Sequence, residues 1–318
     1  SMIDIKLLEQ LCLCNGISGD EVNVRNLIIN EIKDCADDIK TDNLGNLIVF
    51  KKGKKSAKSK LMVSAHMDEV GLMVTDITSD GYLKFDEVGG IDRRVLPGKR
   101  VCVGRNGLNG VIGVKPIHLT NSDEKTAVPK MNDMYIDIGA ESREDALKYV
   151  NYGDGINFEG GFKINGKTVV TKALDDRFGC YVLINLIKSE PEYDMYFTFV
   201  VQEEVGLRGA RPAAFTVNPD FALVIESTTA ADVAEVDASH QVCNLSKGAT
   251  VTVMDRATVY DKEMISAAFE LAEKNNIAVQ YKRAVAGGND SGAIHQSRGG
   301  VRTLAVSLPS RYIHAPST

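Results

Sequence analysis

Residues 196–206, YFTFVVQEEVG, form an apolar run rich in β-branched and aromatic side chains that stops at two adjacent carboxylates, Glu203 and Glu204, and then a glycine. Such a run is expected to be a buried strand. In open α/β sheets the edge beyond the strand C-termini is where ligands bind. Neighbouring residues leaving a strand point to opposite sides, so one glutamate can ligate a metal while the other handles protons. Alone, a Glu-Glu pair is more commonly an exposed acidic turn. The rest of the chain decides between the two.

Other strand-like runs end the same way. LMVSAHMD (61–68) closes on His66 and Asp68, which period-2 geometry places on one face, so the aspartate can orient the histidine or share its metal. KTVVTKALDDRFGCYVLINLIK (167–188) reads as a strand, then Asp175-Asp176, then an apolar-periodic helix. FALVIES (221–227) is a further buried strand carrying Glu226 at its end, and VRTLAVSLPSRYIHAP (301–316) is a strand followed by a loop with His314.

Helices are expected over 3–14, stopped by Asn15-Gly16, and from the capping-box pattern Ser18-x-x-Glu21 to about Lys33. Further helices are expected over 263–275 and, as a short piece, near Asp290. IKTDNLGNLIVFKK (39–52) reads as two strands about a turn, and 277–282 as a short strand. The lysine-rich KKGKKSAKSK (51–60) is read as a solvated hairpin tip, not a nucleic-acid patch. GGNDSG (287–292) fits neither the Walker nor the dinucleotide fingerprint, which argues against phosphate binding.

Between about residues 70 and 166 the strand-like pieces shorten and glycines become dense, with one short helix expected at 142–149 capped by Ser142. The expected fold class is therefore α/β, a mixed-sheet domain with helices on both faces built from residues 1–69 and 167–318. A small, mostly β module of residues 70–166 interrupts it directly after His66-Met67-Asp68.

Composition bounds the function. The chain has 318 residues, 44% hydrophobic and 25% charged, ordinary for a globular protein. A net charge of −6, from 37 basic and 43 acidic residues, gives no support to nucleic-acid or anionic-membrane binding. No apolar run approaches the roughly 20 residues that span a bilayer, and no secretory signal is recognisable at the N-terminus. Ser1 before Met2 has the look of a tag-cleavage scar. The six cysteines are scattered without a Cys-x-x-Cys pair, which fits reduced thiols and a cytoplasmic location.

Two histidines with several carboxylates suit Zn²⁺, Co²⁺ or Mn²⁺ better than a thiolate-rich structural site does. One aspartate bridging two ions, each with a further carboxylate and a histidine, makes a hydrolytic two-metal centre with ions roughly 3.5–4 Å apart. A carboxylate outside the ligand set must then move the proton of the attacking water.

The chain resembles the dinuclear-metal aminopeptidases that assemble as tetrahedral dodecamers, known as glutamyl or deblocking aminopeptidases. The resemblance rests on AHMDEVGLMV (65–74), GVIGVKPIH (110–118), ALDDR (173–177), VQEEVGLRGARPAA (201–214), TVMDR (252–256), GGNDSGAIH (287–295) and SRYIHAP (310–316), in order along nearly the whole chain. It implies two divalent ions, one held by His66, Asp175 and Glu226 and the other by Asp175, Glu204 and His314. It also implies Glu203 as general base around a bridging water, Asp68 as the partner of His66, and the inserted module as a dimerisation domain. Peptide substrates and self-association as a dimer or dodecamer follow from the same resemblance. Departures are Glu226, where aspartate is usual, Asp176, an added charge where asparagine is frequent, and an end four residues after His314, where relatives normally continue into a closing helix. His118 and His295 match no ligand position and are read as structural or as outer partners of the site; His240 is read as having no catalytic part.

Two other functions compete. Proteins similar to this one are often called endoglucanases, and paired carboxylates are glycosidase machinery. The chain has no tryptophan to stack sugar rings, however, and a glycosidase has no need of His66 and His314. The other is an assembly protein with a dead site, against which the complete set of ligand and base positions argues.

Overall fold

The computed structural model describes residues 4–317. The first residue of the expected N-terminal helix, and Ser1 with its tag-scar reading, lie outside the described residues. In chain order the elements begin with α1 (Ile5–Leu13) and α2 (Val22–Ile32), followed by β1 (Asp38–Thr41), β2 (Leu47–Lys51) and β3 (Leu61–His66). The inserted stretch holds β4 (Gly71–Ile77), β5 (Leu83–Val88), β6 (Arg100–Val103), β7 (Leu108–Gly113), α3 (Ser122–Thr126), β8 (Tyr135–Asp137), α4 (Arg143–Ala146) and β9 (Gly155–Phe158). Then come β10 (Lys163–Asn165), β11 (Thr168–Val170), α5 (Leu174–Lys188), β12 (Met195–Val200), α6 (Ala210–Val217) and β13 (Phe221–Thr229). The chain goes on through β14 (Ala249–Val251), α7 (Lys262–Lys274), β15 (Val279–Tyr281), α8 (Ser291–Ile294) and β16 (Arg302–Ser310).

Eight strands form one mixed sheet in the order β1-β2-β12-β3-β13-β16-β14-β15. Its centre, β12, β3, β13 and β16, is parallel, so these four strands deliver their C-terminal ends to one edge. The outer strands β2 and β14 run antiparallel to their inner neighbours. The apolar run that opened the sequence reading fills β12, whose Phe197, Phe199 and Val200 are fully buried.

Each face of the sheet is covered. On one, Leu8 and Leu11 of α1, Ile28 of α2 and Leu183 and Ile187 of α5 pack on Val49, Val63 and Phe197. On the other, Ala210 and Ala214 of α6 and Ile294 of α8 pack on Met62, Ala222 and Ala305. A parallel sheet must bury both faces this way because its strands are apolar throughout.

The six strands β4 to β9 close into a barrel in the order β4-β5-β8-β7-β6-β9, with its own core of Leu72, Val74, Phe85, Val101, Ile112, Ile136 and Ile156. Leu72 and Val74 enter this core two residues apart, the strand period. Ser142 caps α4 by accepting the Asp145 N–H at 3.1 Å, as its spacing predicts.

Four expectations need correction. Ser18 and Glu21 do not form a capping box: α2 begins after Glu21 with no side-chain cap. Both side chains are used instead beside the sheet edge described below. The 51–60 segment is exposed but is no hairpin tip, since β12 lies between β2 and β3 and the segment crosses over it. Finally, Glu226 sits inside β13, three residues before its end, and β11 pairs with β10 in a separate ribbon instead of joining the sheet.

Candidate metal centre

At the C-terminal edge of the parallel strands the fold gathers His66, Asp68, Asp175, Glu203, Glu204, Glu226 and His314. His66 ends β3, and its Nε2 lies 3.3 Å from Asp175 Oδ1, 3.4 Å from Glu226 Oε1 and 3.9 Å from Glu203 Oε2. His314 Nε2 lies 3.3 Å from Glu204 Oε2 and 3.6 Å from Asp175 Oδ2. Asp175 therefore offers one oxygen to each imidazole. Two groups of donor atoms, His66–Asp175–Glu226 and Asp175–Glu204–His314, are each compact enough to surround a cation; His66–Glu203–Glu204 is a third such group.

Local chemistry fixes these positions. Ala173 takes a left-handed conformation (φ 53°), and Asp175 and Asp176 at the head of α5 are not helical, which turns Asp175 out toward the edge. Arg177, fully buried, donates to the carbonyls of Met67, Leu11, Cys14 and Gly16, tying the residues around His66 to α1. Glu69 lies between Lys172, at 3.0 Å, and Arg177, at 3.3 Å, all three buried. A buried charge is tolerated only when paired in this way.

Asp68 serves as the anchor of the site. Its carboxylate accepts the Ser18 hydroxyl at 2.6 Å and the backbone N–H groups of Glu203 at 3.0 Å and Glu204 at 3.1 Å. The two glutamates are thus held by a turn after β12, not by strand alternation. Gln202, in the left-handed region at φ 55°, gives its N–H to the Glu21 carboxylate at 3.1 Å. His66 Nδ1 meets the Asp68 carbonyl at 3.0 Å. With Nδ1–H donating there, Nε2 presents its lone pair to the site.

Charge is in excess. Burial first, then Asp175, pushes Glu204 up to about 8. Burial, resisted by His66 and reinforced by Asp175, pushes Glu226 up to about 7. Burial also drives Glu203 up, with Glu226 adding to it. Asp175 behaves oppositely: against its burial, hydrogen bonds from His314 and His66 hold it well below the usual range. His314, despite desolvation, is raised to about 9 by Asp175 and Glu204. The buried atoms Asp175 Oδ1 and Glu226 Oε2 have no hydrogen-bond partner. A buried, unpartnered carboxylate oxygen such as Asp175 Oδ1, facing an imidazole nitrogen, is what a cation requires, so the donor set fits a divalent metal.

One residue near the centre escapes the sequence reading. Asp290, fully buried with neither oxygen hydrogen-bonded, feels the charges of His66, Glu226 and Asp68. Only its place before a short helix was legible. Asp176 faces away, accepting the N–H of Gly179 at 3.0 Å and of His66 at 3.3 Å. Burial and the nearby Glu226 carboxylate push its pKa well above the ordinary aspartate range. His295 binds the Ser291 carbonyl at 2.8 Å within its own helical turn, while His118 and His240 are exposed.

The model of the M42 glutamyl aminopeptidase family matches residues 45–318. A provisionally named aminopeptidase of Acetivibrio thermocellus is 44% identical over 98% of this chain and 91% of its own length. The lysyl aminopeptidase of Pyrococcus furiosus is 33% identical over 99% of this chain and 91% of its own. Among solved structures, the TET1 peptidase of Pyrococcus horikoshii, described as assembling into a tetrahedron or a large octahedral shell, superposes with a TM-score of 0.86 at 40% identity, covering 98% of this chain and 93% of that one.

Proposed function

The chain belongs to the M42 glutamyl aminopeptidase family and is an aminopeptidase, and we propose that it works through two divalent ions held at the sheet edge. His66, Asp175 and Glu226 would hold one, and Asp175, Glu204 and His314 the other. The observation that carries this is the position of Asp175, whose two oxygens face one imidazole each. Zn²⁺, Co²⁺ and Mn²⁺ all suit such nitrogen and oxygen donors. When bound, such ions supply an acidified water and polarise a carbonyl.

Glu203, in neither of those two ligand groups, takes the proton of the attacking water on a carboxylate oxygen and returns it to the leaving amine. Burial raises its proton affinity, which suits a group that must hold a proton between the two transfers. Asp68 keeps Glu203 and Glu204 in place through their backbone amides and orients His66.

Free α-amino groups on short peptides are the substrates this reading requires. Self-association is proposed for the barrel of residues 70–166, on which Ile117 (73% exposed) and Leu119 (60% exposed) stand out in solvent. The shell-forming relative supports a closed assembly larger than a dimer. None of the described helices is long and apolar enough to cross a membrane, and all six cysteines are free, which together support a cytoplasmic location.

The glycosidase alternative is not favoured, because the carboxylates converge on two imidazoles instead of standing apart as an acid and a nucleophile. Aminoacyl-anilide hydrolysis by metal-stripped protein, with Co²⁺, Zn²⁺ or Mn²⁺ added back, tests the proposal. Release restored by metal and abolished in Glu203→Gln is expected. Carboxymethyl-cellulose cleavage that survives metal stripping would overturn it.

A further inference from the structure

Four successive backbone N–H groups just beyond β12 are each taken by a side chain from elsewhere in the chain. Val201 donates to Asn46 Oδ1 at 2.9 Å and Gln202 to Glu21 Oε1 at 3.1 Å, while Glu203 and Glu204 donate to Asp68. The carbonyls of the same stretch are satisfied inside the turn, Val201 by the Gly209 N–H, Gln202 by Arg208 and Glu203 by Leu207. It is the N–H side that fixes this turn, with Glu203 and Glu204 on it, against the rest of the fold.

Glu21 grips the strained member of the four. Gln202 holds φ 55°, a left-handed conformation that a residue with a Cβ disfavours. Such a conformation persists only where the surroundings impose it. The Glu21 carboxyl is buried, and the oxygen that takes the Gln202 N–H also accepts the Gly19 N–H at 2.7 Å. Burying a carboxyl is costly unless hydrogen bonds offset it, and here one of those bonds runs to the residue that precedes Glu203. Were Gln202 to relax out of the left-handed region, the peptide leading into Glu203 would rotate. The Glu203 carboxylate, 3.9 Å from His66 Nε2, would then leave the centre. Asp68 restrains only the amides that follow Gln202.

We propose that Glu21 is a positioning residue of the hydrolytic reaction: by holding the Gln202 N–H it aims the Glu203 carboxylate at the attacking water and the leaving amine. The inference rests on the reading of Glu203 as general base. The family match spans residues 45–318, so Glu21 lies outside the stretch it covers. The competing role is local, a brace for the loop of residues 17–21 through the Gly19 N–H alone.

Three variants separate the two roles. Glu21→Gln keeps an acceptor oxygen at the same reach, Glu21→Asp withdraws it by one methylene, and Glu21→Ala removes it. They are compared on metal-loaded protein with the aminoacyl-anilide that wild type cleaves fastest. In Glu21→Ala and Glu21→Asp, kcat should fall about 10- to 100-fold, the scale of a displacement of about 1 Å at the reacting groups. KM and metal content should stay as in wild type, and Glu21→Gln should keep most of the activity. Hydrogen exchange of the amides of residues 200–207, read by mass spectrometry, should quicken in Glu21→Ala and Glu21→Asp but not in Glu21→Gln. A brace for the loop alone would lower the denaturation midpoint and leave both kcat and that exchange unmoved. Such a result, or a Glu21→Gln as impaired as Glu21→Ala, overturns the proposal. If Glu21→Ala does not fold, Glu21→Asp against Glu21→Gln decides by the same two readouts. Undiminished activity in Glu203→Gln would instead fail the general-base reading, and the exchange rates would still decide whether Glu21 holds the turn.

Discussion

Asp68 Oδ1 accepts the backbone N–H of Glu203 at 3.0 Å, so the glutamate proposed to handle protons is placed by a residue just past the end of β3, 135 positions earlier in the chain. Asp68 carries three such bonds and the orientation of His66 besides. Replacing it by asparagine keeps the volume but turns a donor against N–H groups. Activity should fall by roughly 10- to 100-fold with weakened metal affinity, the usual cost of losing an outer partner of a metal site. Steady-state kinetics and metal titration on Asp68→Asn check this; unchanged affinity and rate would remove Asp68 from the machinery.

Glu203→Gln should behave differently. The residue is outside the two proposed ligand groups, so two ions per chain should still bind, measured by elemental analysis after gel filtration. kcat should drop by roughly 10²- to 10⁴-fold, as for loss of a general base. Loss of one ion along with the activity would instead make Glu203 a ligand.

Glu21 gives a pH prediction. Burial, against hydrogen bonds from Gly19 and Gln202, pushes its carboxyl up to about 7 from its ordinary 4.5. Between those values the folded chain binds more protons at this site than the unfolded chain, so stability falls as pH rises through the window. The loss amounts to roughly 3 kcal/mol at most. Wild type should lose stability relative to Glu21→Gln between pH 4.5 and 7 in urea denaturation. Parallel curves across that range would contradict it.

Glu69→Ala leaves Lys172 and Arg177 buried without their shared carboxylate. Removing one member of a buried ionic group costs about 3–5 kcal/mol. The midpoint of chemical denaturation should shift accordingly. A shift worth less than about 1 kcal/mol would mean that the carbonyls bound by Arg177 suffice without Glu69.

Much of the sheet was readable because buried strands carry long apolar runs, and the parallel edge follows from where YFTFVV, LMVSAH and FALVIE place their last residues. The site residues were readable because each stands next to such a run. What stayed hidden depends on contacts between distant segments. Ser18 and Glu21 match a local capping pattern, yet they are claimed by Asp68 and Gln202, which local spacing cannot reveal. Asp290 belongs to no periodic element, so nothing in its neighbourhood announces that it meets the centre. The ribbon of β10 and β11 misleads for a related reason: three apolar-leaning residues pair equally well within a hairpin or a sheet.

The strand that carries His66 lies between β12 and β13, both encoded more than a hundred residues after it. During synthesis β3 therefore emerges with neither neighbour made, and at about 5–20 residues per second it waits several seconds for them. The barrel, whose strands all lie between residues 71 and 158, can close in that interval. His314 arrives last. A nascent chain that has not yet reached His314 lacks one of the ligands proposed for the metal centre. Slow, long-range pairing of this kind also leaves the apolar edges of β3 in need of protection while translation proceeds.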